Sequence, residues 1–443
     1  MKNHHLLCGL ACNPALPPEL VDRLVALALA EPVPPDDVVE DLADALAERS
    51  DLRRDQVLAL AAHSDHAGLR LAYRGTLTAA DVDPASRPLT ALALLDEGRG
   101  RPEWGRVLAA DPDFYVPWKL ASCPGLPPDV TDALAEDPDV VTELAAWGPS
   151  PVAARLALHP DPEVRGAAAA NPAIPADILM TLAEDSELSL NWVLAERTDL
   201  PQAVYERLSA VPLPGTRAQV ARNPATGEEL IRLLAADEDP DVRRSLAQHP
   251  HIPLDLLTEL AVGTRLGPNL LPRIASATPA EAAALAASAS AAVRMLVAER
   301  RDLPPELRDA LADDPDASVV KAVAPHPGLS EERLRAMVAR FGVQVLARVA
   351  ANPDASGALL EELTLHRPPV RKVFKEVARH PNATGPALLA CLADKTGRRL
   401  AAAHPALPAQ AFPELLADED HRVAQEAAGN PALPPALMAE LVP

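Results

Sequence analysis

The sequence predicts an all-α solenoid of two-helix units, each about 24–28 residues long. Three observations predict it. A polar anchor, usually followed by proline, recurs at Asn171, Arg197, Asn223, His249, Arg300, His326, Asn352, His380, His404 and Asn430, most often 26 residues apart, with a weaker copy at Ala277. An alanine stands two residues before each of these: Ala169, Ala195, Ala221, Ala247, Ala275, Ala298, Ala324, Ala350, Ala378, Ala402 and Ala428. The 48 prolines recur periodically, so they punctuate short helices instead of dispersing a disordered chain.

One unit, residues 239–263, shows what each position does. Val242 and Leu246 are four apart and share the inner face of a first short helix. Ala247 is small enough to let a neighbouring backbone approach. His249-Pro250 stops that helix, because a residue before proline is pushed out of the α region. Ile252-Pro253 turns the chain into a second helix, with Leu256, Leu257, Leu260 and Ala261 as its apolar stripe and Gly263 as its exit.

Taken in order, residues 6–30 read as an entry unit with anchor Asn13. Residues 31–100 are degenerate, with helices expected near 36–48, 53–62 and 87–96 and anchors at Arg49 and Arg74. Residues 101–120 hold Trp104, Phe114, Tyr115 and Trp118, which either form an exposed patch or fill a gap in an irregular unit. Regular units start at Cys123 and Trp147. Arg265–Thr278 distorts one unit and Arg367-Pro368-Pro369 lengthens another. The sequence closes on half a unit, 434–441, expected to cap the stack or leave an end open for self-association. The expected organisation is one array, with degenerate repeats and a cap over 1–120 and regular repeats over 121–443.

The recurring pattern Val-Arg-x-x-(Leu/Val)-Ala-x-(Asn/His)-Pro-x-x-Pro-x-x-Leu-Leu-x-x-Leu-Ala-x-Asp resembles the leucine-rich repeat variant family. The resemblance is close over 121–443 and looser before it. It implies α-helices alternating with short 3-10 or α segments in a right-handed superhelix without β-sheet. The family's iron–sulfur centre sits in a cysteine-rich N-terminal region that has no counterpart here, so no cofactor is expected.

Composition narrows the function. A net charge of −22 opposes nonspecific binding to nucleic acid or an anionic membrane. No apolar run approaches the ~20 residues of a membrane span, and the first residues do not read as a signal peptide. Four scattered cysteines give no disulfide framework, which points to the cytoplasm. Cys8 and Cys12, four apart, read as packing residues, since other units hold small residues there. No phosphate loop, metalloprotease motif or nucleophile elbow is present. His249, His326, His380 and His404 share their slot with asparagines, so the slot calls for a backbone hydrogen bond, not a metal. No catalytic or metal-binding residue is therefore expected.

One asymmetry suggests recognition. Six and five residues before the anchor, the first helices carry Arg165, Arg217, Arg243, Arg244, Arg294, Lys321, Lys375, Arg398 and Arg399, with Trp118 and Trp192 in two units. Such a stripe could receive an acidic or extended peptide. Alternatively each arginine pairs with an aspartate of its own or the adjacent link. The expected function is thus a non-enzymatic scaffold for a protein or peptide. A helical-repeat enzyme of DNA-base glycosylase or lyase type, with its site near Trp118 or Trp192, is the other reading.

Overall fold

The computed structural model describes residues 4–30, 42–183 and 188–443. Among these residues all regular structure is helical, in 33 α-helices and three short 3-10 segments, with no strand. Short α-helices therefore prevail over 3-10 geometry, which is confined to Pro102–Trp104, Gly342–Gln344 and Ala409–Ala411. No helix among the described residues is long and apolar enough to cross a membrane. Of the helix expected near 36–48, Leu42–Ala47 is observed. Residues 36–41 lie outside the described residues.

The chain forms two compact units, one of Met1–Val130 with Val349–Pro443 and the other of Thr131–Arg348. This division differs from the expected boundary at 120/121, because the first and last repeats of the sequence pack together.

In the unit Thr131–Arg348, each first helix rests on the first helix of the next repeat: Val141–Trp147 on Pro162–Ala170, then Leu188–Glu196, Pro214–Arg222 and Pro240–Leu246. Helices of this length are marginal alone in water, so their stability comes from packing. Local chemistry starts them. Asp161, Asp239 and Asp316 cap by accepting the N–H two residues on, and Pro162 and Pro240 fill the first turn.

The anchors form cross-repeat rungs. Asn223 Nδ2 donates to Ala195 O at 2.7 Å and Arg197 O at 2.6 Å, while its Oδ1 accepts Ala225 N–H at 2.9 Å. Histidine does the same in the other unit. His404 Nδ1 accepts Ala406 N–H at 3.0 Å, which leaves Nε2–H to donate to His380 O at 3.1 Å. Arginine also serves, but only with an aspartate two residues on. Arg197 Nη1 reaches Ala169 O and Asn171 O while Asp199 grips the rest of its guanidinium, and Arg49–Asp51 and Arg300–Asp302 repeat the arrangement. The Arg-x-Asp spacing at these three anchors is the sequence signal of that arrangement.

The alanines before the anchors are buried, except Ala275 in the distorted repeat, where Ile274 turns inward instead. Ala247 is fully buried. Ala247→Leu should cost ~1–3 kcal/mol through overpacking, read as a lower urea midpoint with unchanged slope. A midpoint equal to wild type would mean the slot has spare room.

In the unit Met1–Val130 with Val349–Pro443, the helix His4–Ala11 lies on His421–Ala428. Asn13 Nδ2 donates to Ala428 O at 3.1 Å and Asn430 O at 2.7 Å, the same rung that Asn430 makes to Ala402 O and His404 O. Arg23 Nη2 adds bonds to Val442 O at 2.8 Å and Pro443 O at 2.7 Å. This corrects the expected open or capped half unit. The last repeat's apolar face is covered by the first repeat. Each repeat can bury its inner surface only against another repeat, and here the two terminal faces bury each other.

Candidate partner-binding row

The two adjacent positions that looked like one basic stripe have opposite fates. Six residues before the anchor, the arginine turns in. Arg217 Nε and Nη2 hold both oxygens of Asp237 at 2.8 and 3.0 Å, while Nη1 reaches Val211 O and Pro212 O. Arg294 grips Asp314 at 2.7 and 3.0 Å and the carbonyls of Ser288 and Ala289. Arg398 does the same with Asp418 and Leu392 O. Each guanidinium thus clamps the link before its own helix to the link after the next. Arg217 and Asp237 side chains are only 11% and 10% exposed, and the guanidinium holds Asp237 below the usual carboxylate range. Arg217 and Arg294 thus follow the alternative of arginine–aspartate pairing and not the outward stripe, and Arg243 likewise turns in, onto the carbonyls of Asp237 and Glu238. The helix rotation that seats the valines and leucines aims this position at the links.

Five residues before the anchor, the side chain turns out. Trp192 is 45% exposed, and a Cβ added to Gly215 would sit 3.2 Å from its Cζ3, so the indole lies on that glycine. Arg244 pairs with Asp241 on its own helix. Arg399 bonds Glu426 at 2.8 Å. Lys321 is exposed and Lys375 half-buried, and neither has an ion pair among the described residues. Trp118 is half-buried, 5.9 Å from the Tyr115 ring.

The aromatic patch divides as well. Phe114 (58% exposed) and Tyr115 face solvent, whereas Trp104, in the 3-10 turn Pro102–Trp104, is buried and fills the irregular repeat. Near Trp118 the carboxylate of Asp96 accepts Tyr73 OH at 2.9 Å and lies 3.3 Å from Lys119 Nζ. Trp147, expected to anchor the start of a regular unit, is 62% exposed. Asn171 makes its rung to Ala145 O and Gly148 O, so the glycine carbonyl takes the anchor's place and the indole swings out. The signal in the sequence was the shortened spacing of 24 residues together with the following glycine.

Cys8 is buried and Cys12 exposed. Among the described residues no group of three or more His, Cys, Asp or Glu is placed to hold a metal.

No protein-family model matches the chain, and no curated protein matches it. Solved structures that align with it include two engineered proteins from a structural genomics consortium. One is 16% identical over 93% of this chain and 98% of that chain, with a TM-score of 0.16. The other is 14% identical over 74% of this chain and 94% of that chain, with a TM-score of 0.08. Likeness at that level carries no argument about fold or function.

Proposed function

We propose that the chain is an α-solenoid of the leucine-rich repeat variant type, working in the cytoplasm as a recognition scaffold and not as an enzyme. Its ligand is an extended protein segment bearing acidic side chains. The observation that carries this reading is the outward row. The anchors and the arginines beside them are spent on internal bonds, yet the next position presents Trp192, Arg244 and Lys321 in one unit and Trp118, Lys375 and Arg399 in the other. The exposed indole of Trp192, the half-buried one of Trp118 and the cations Lys321 and Lys375, on a chain of net charge −22, offer aromatic anchors and local attraction for carboxylates. The clamp residues supply rigidity, which lowers the cost of ordering the surface on binding.

The test is a titration of the full chain with a synthetic alternating Glu-Leu peptide, followed by tryptophan fluorescence. Arg244→Glu with Lys321→Glu should weaken binding about tenfold, a loss of about 1.4 kcal/mol, with helicity unchanged. Equal affinity for wild type and double variant would refute the row as the binding surface.

A further inference from the structure

One copy of the arginine clamp lacks its carboxylate. Arg217, Arg294 and Arg398 each reach an aspartate twenty residues further along: Asp237, Asp314 and Asp418. Arg243 occupies the same position in its repeat, and its Nη1 makes the same pair of bonds, to Asp237 O at 2.5 Å and Glu238 O at 3.1 Å. Twenty residues after Arg243, however, stands Gly263. Among the described residues no carboxylate lies within ion-pair distance of Arg243. A recess of about 360 Å³ opens at this place, with Arg232, Arg243, Leu256, Glu259, Leu260 and Gly263 in its lining.

Gly263 is not there for its backbone. It ends the helix Leu254–Gly263, it is absent from the glycines with positive φ, and a Cβ added to it would meet nothing within 4 Å. It stands at the expected helix exit, but without the left-handed backbone that would call for glycine. The glycine removes a side chain, and the chain after it departs from the regular repeat, so no neighbouring residue refills the space.

We infer that this recess binds a carboxylate on an apolar stem, held by Nε and Nη2 of Arg243 as Asp237 and Asp314 are held by Arg217 and Arg294. The guanidinium matches a planar two-oxygen acceptor. Arg232 is itself engaged by Glu228 at 2.8 Å and Asp255 at 3.7 Å, so Arg243 is the cation left to bind. Glu259 in the wall opposes a second negative charge, so the site favours one carboxylate over a phosphate or a dicarboxylate. Leu256 and Leu260 face the stem. Both the side chain of an Asp or Glu in a bound protein and a free monocarboxylic acid carry this chemistry. The site does not depend on the outward row, and failure of either leaves the other standing.

Thermal unfolding of the full chain in sodium propionate, against sodium chloride at equal ionic strength, tests it. Wild type should show a saturable rise in Tm, because a ligand that binds only the folded chain stabilises it by mass action. Gly263→Asp should restore the internal clamp, raising Tm without propionate and abolishing the response to it. Arg243→Gln should also lose the response, whatever its own stability. Half-saturation at lower concentration by acetyl-Ala-Glu-Ala-amide than by propionate assigns the site to a protein side chain; the reverse assigns it to a free acid. No propionate response in wild type, or the same response in Gly263→Asp, overturns the inference.

Discussion

Replacing Gly9 by leucine will unseat the first helix of the sequence from the last repeat. A Cβ at Gly9 would sit 2.3 Å from Gln425 O and 3.1 Å from Ala428 Cβ, and the Gly9 carbonyl in turn lies 3.1 Å from where a Cβ on Gly429 would be. The obstacle is backbone, which cannot step aside as a flexible side chain can. With the helix displaced, Leu6, Leu7 and Leu10 lose their burial and Asn13 loses its rung to Ala428 and Asn430. Burying a leucine is worth about 1.5–3 kcal/mol, so the loss should reach about 3 kcal/mol or more. Limited proteolysis should then cut before residue 30 while the remaining repeats stay helical. Sedimentation should become concentration-dependent as the apolar face of His421–Ala428 is exposed. A variant as protease-resistant as wild type would show that the contact between these helices is dispensable.

Acid will weaken the protein well before its carboxylates titrate, through the histidine anchors. Burial, reinforced by the charges of Arg301, Arg308 and Arg348, pushes His326 down to about 4, and burial also lowers His249 and His404. An unfolded histidine takes its proton near pH 6.5. Between these values the unfolded chain binds the proton and the folded chain does not, so stability falls as pH drops from about 6.5 to about 4. For His326 the loss is on the order of 3 kcal/mol at pH 4. Asn171, Asn223, Asn352 and Asn430 show that asparagine suits the same slot without a titrating group. His326→Asn should therefore remove most of this dependence, leaving the later loss as clamp carboxylates such as Asp237, depressed by Arg217, are protonated. Urea midpoints measured across this range decide it, and identical profiles for wild type and variant would reject the histidine as the cause.

The candidate row was half legible. Spacing from the anchor picked out the two positions that matter, but treated neighbours such as Arg243 and Arg244 as equivalent. Residues one apart on a helix point about 100° apart, and only the stacking of each helix on the next decides which one meets a link and which meets water. Trp104 takes the gap-filling role, one of the two expected for it, and Trp147 turns out to solvent, each for a related reason. Both lie in repeats where the spacing slips, so counting from the anchor no longer reports the direction of the side chain.

By itself the sequence determined the helical class, the short helix lengths, the small alanine slot and the polar anchor slot. These rest on interactions within a few residues, and a period of 26 repeats the signal often enough to read. Only the tertiary structure decided that Asn13 binds the carbonyls of Ala428 and Asn430, that Arg217, Arg294 and Arg398 are clamps, and that Arg243 faces a recess where the others face an aspartate. Those outcomes depend on which repeat lies against which. A local pattern identifies an apolar face or a charged arm, but not the surface that will cover it.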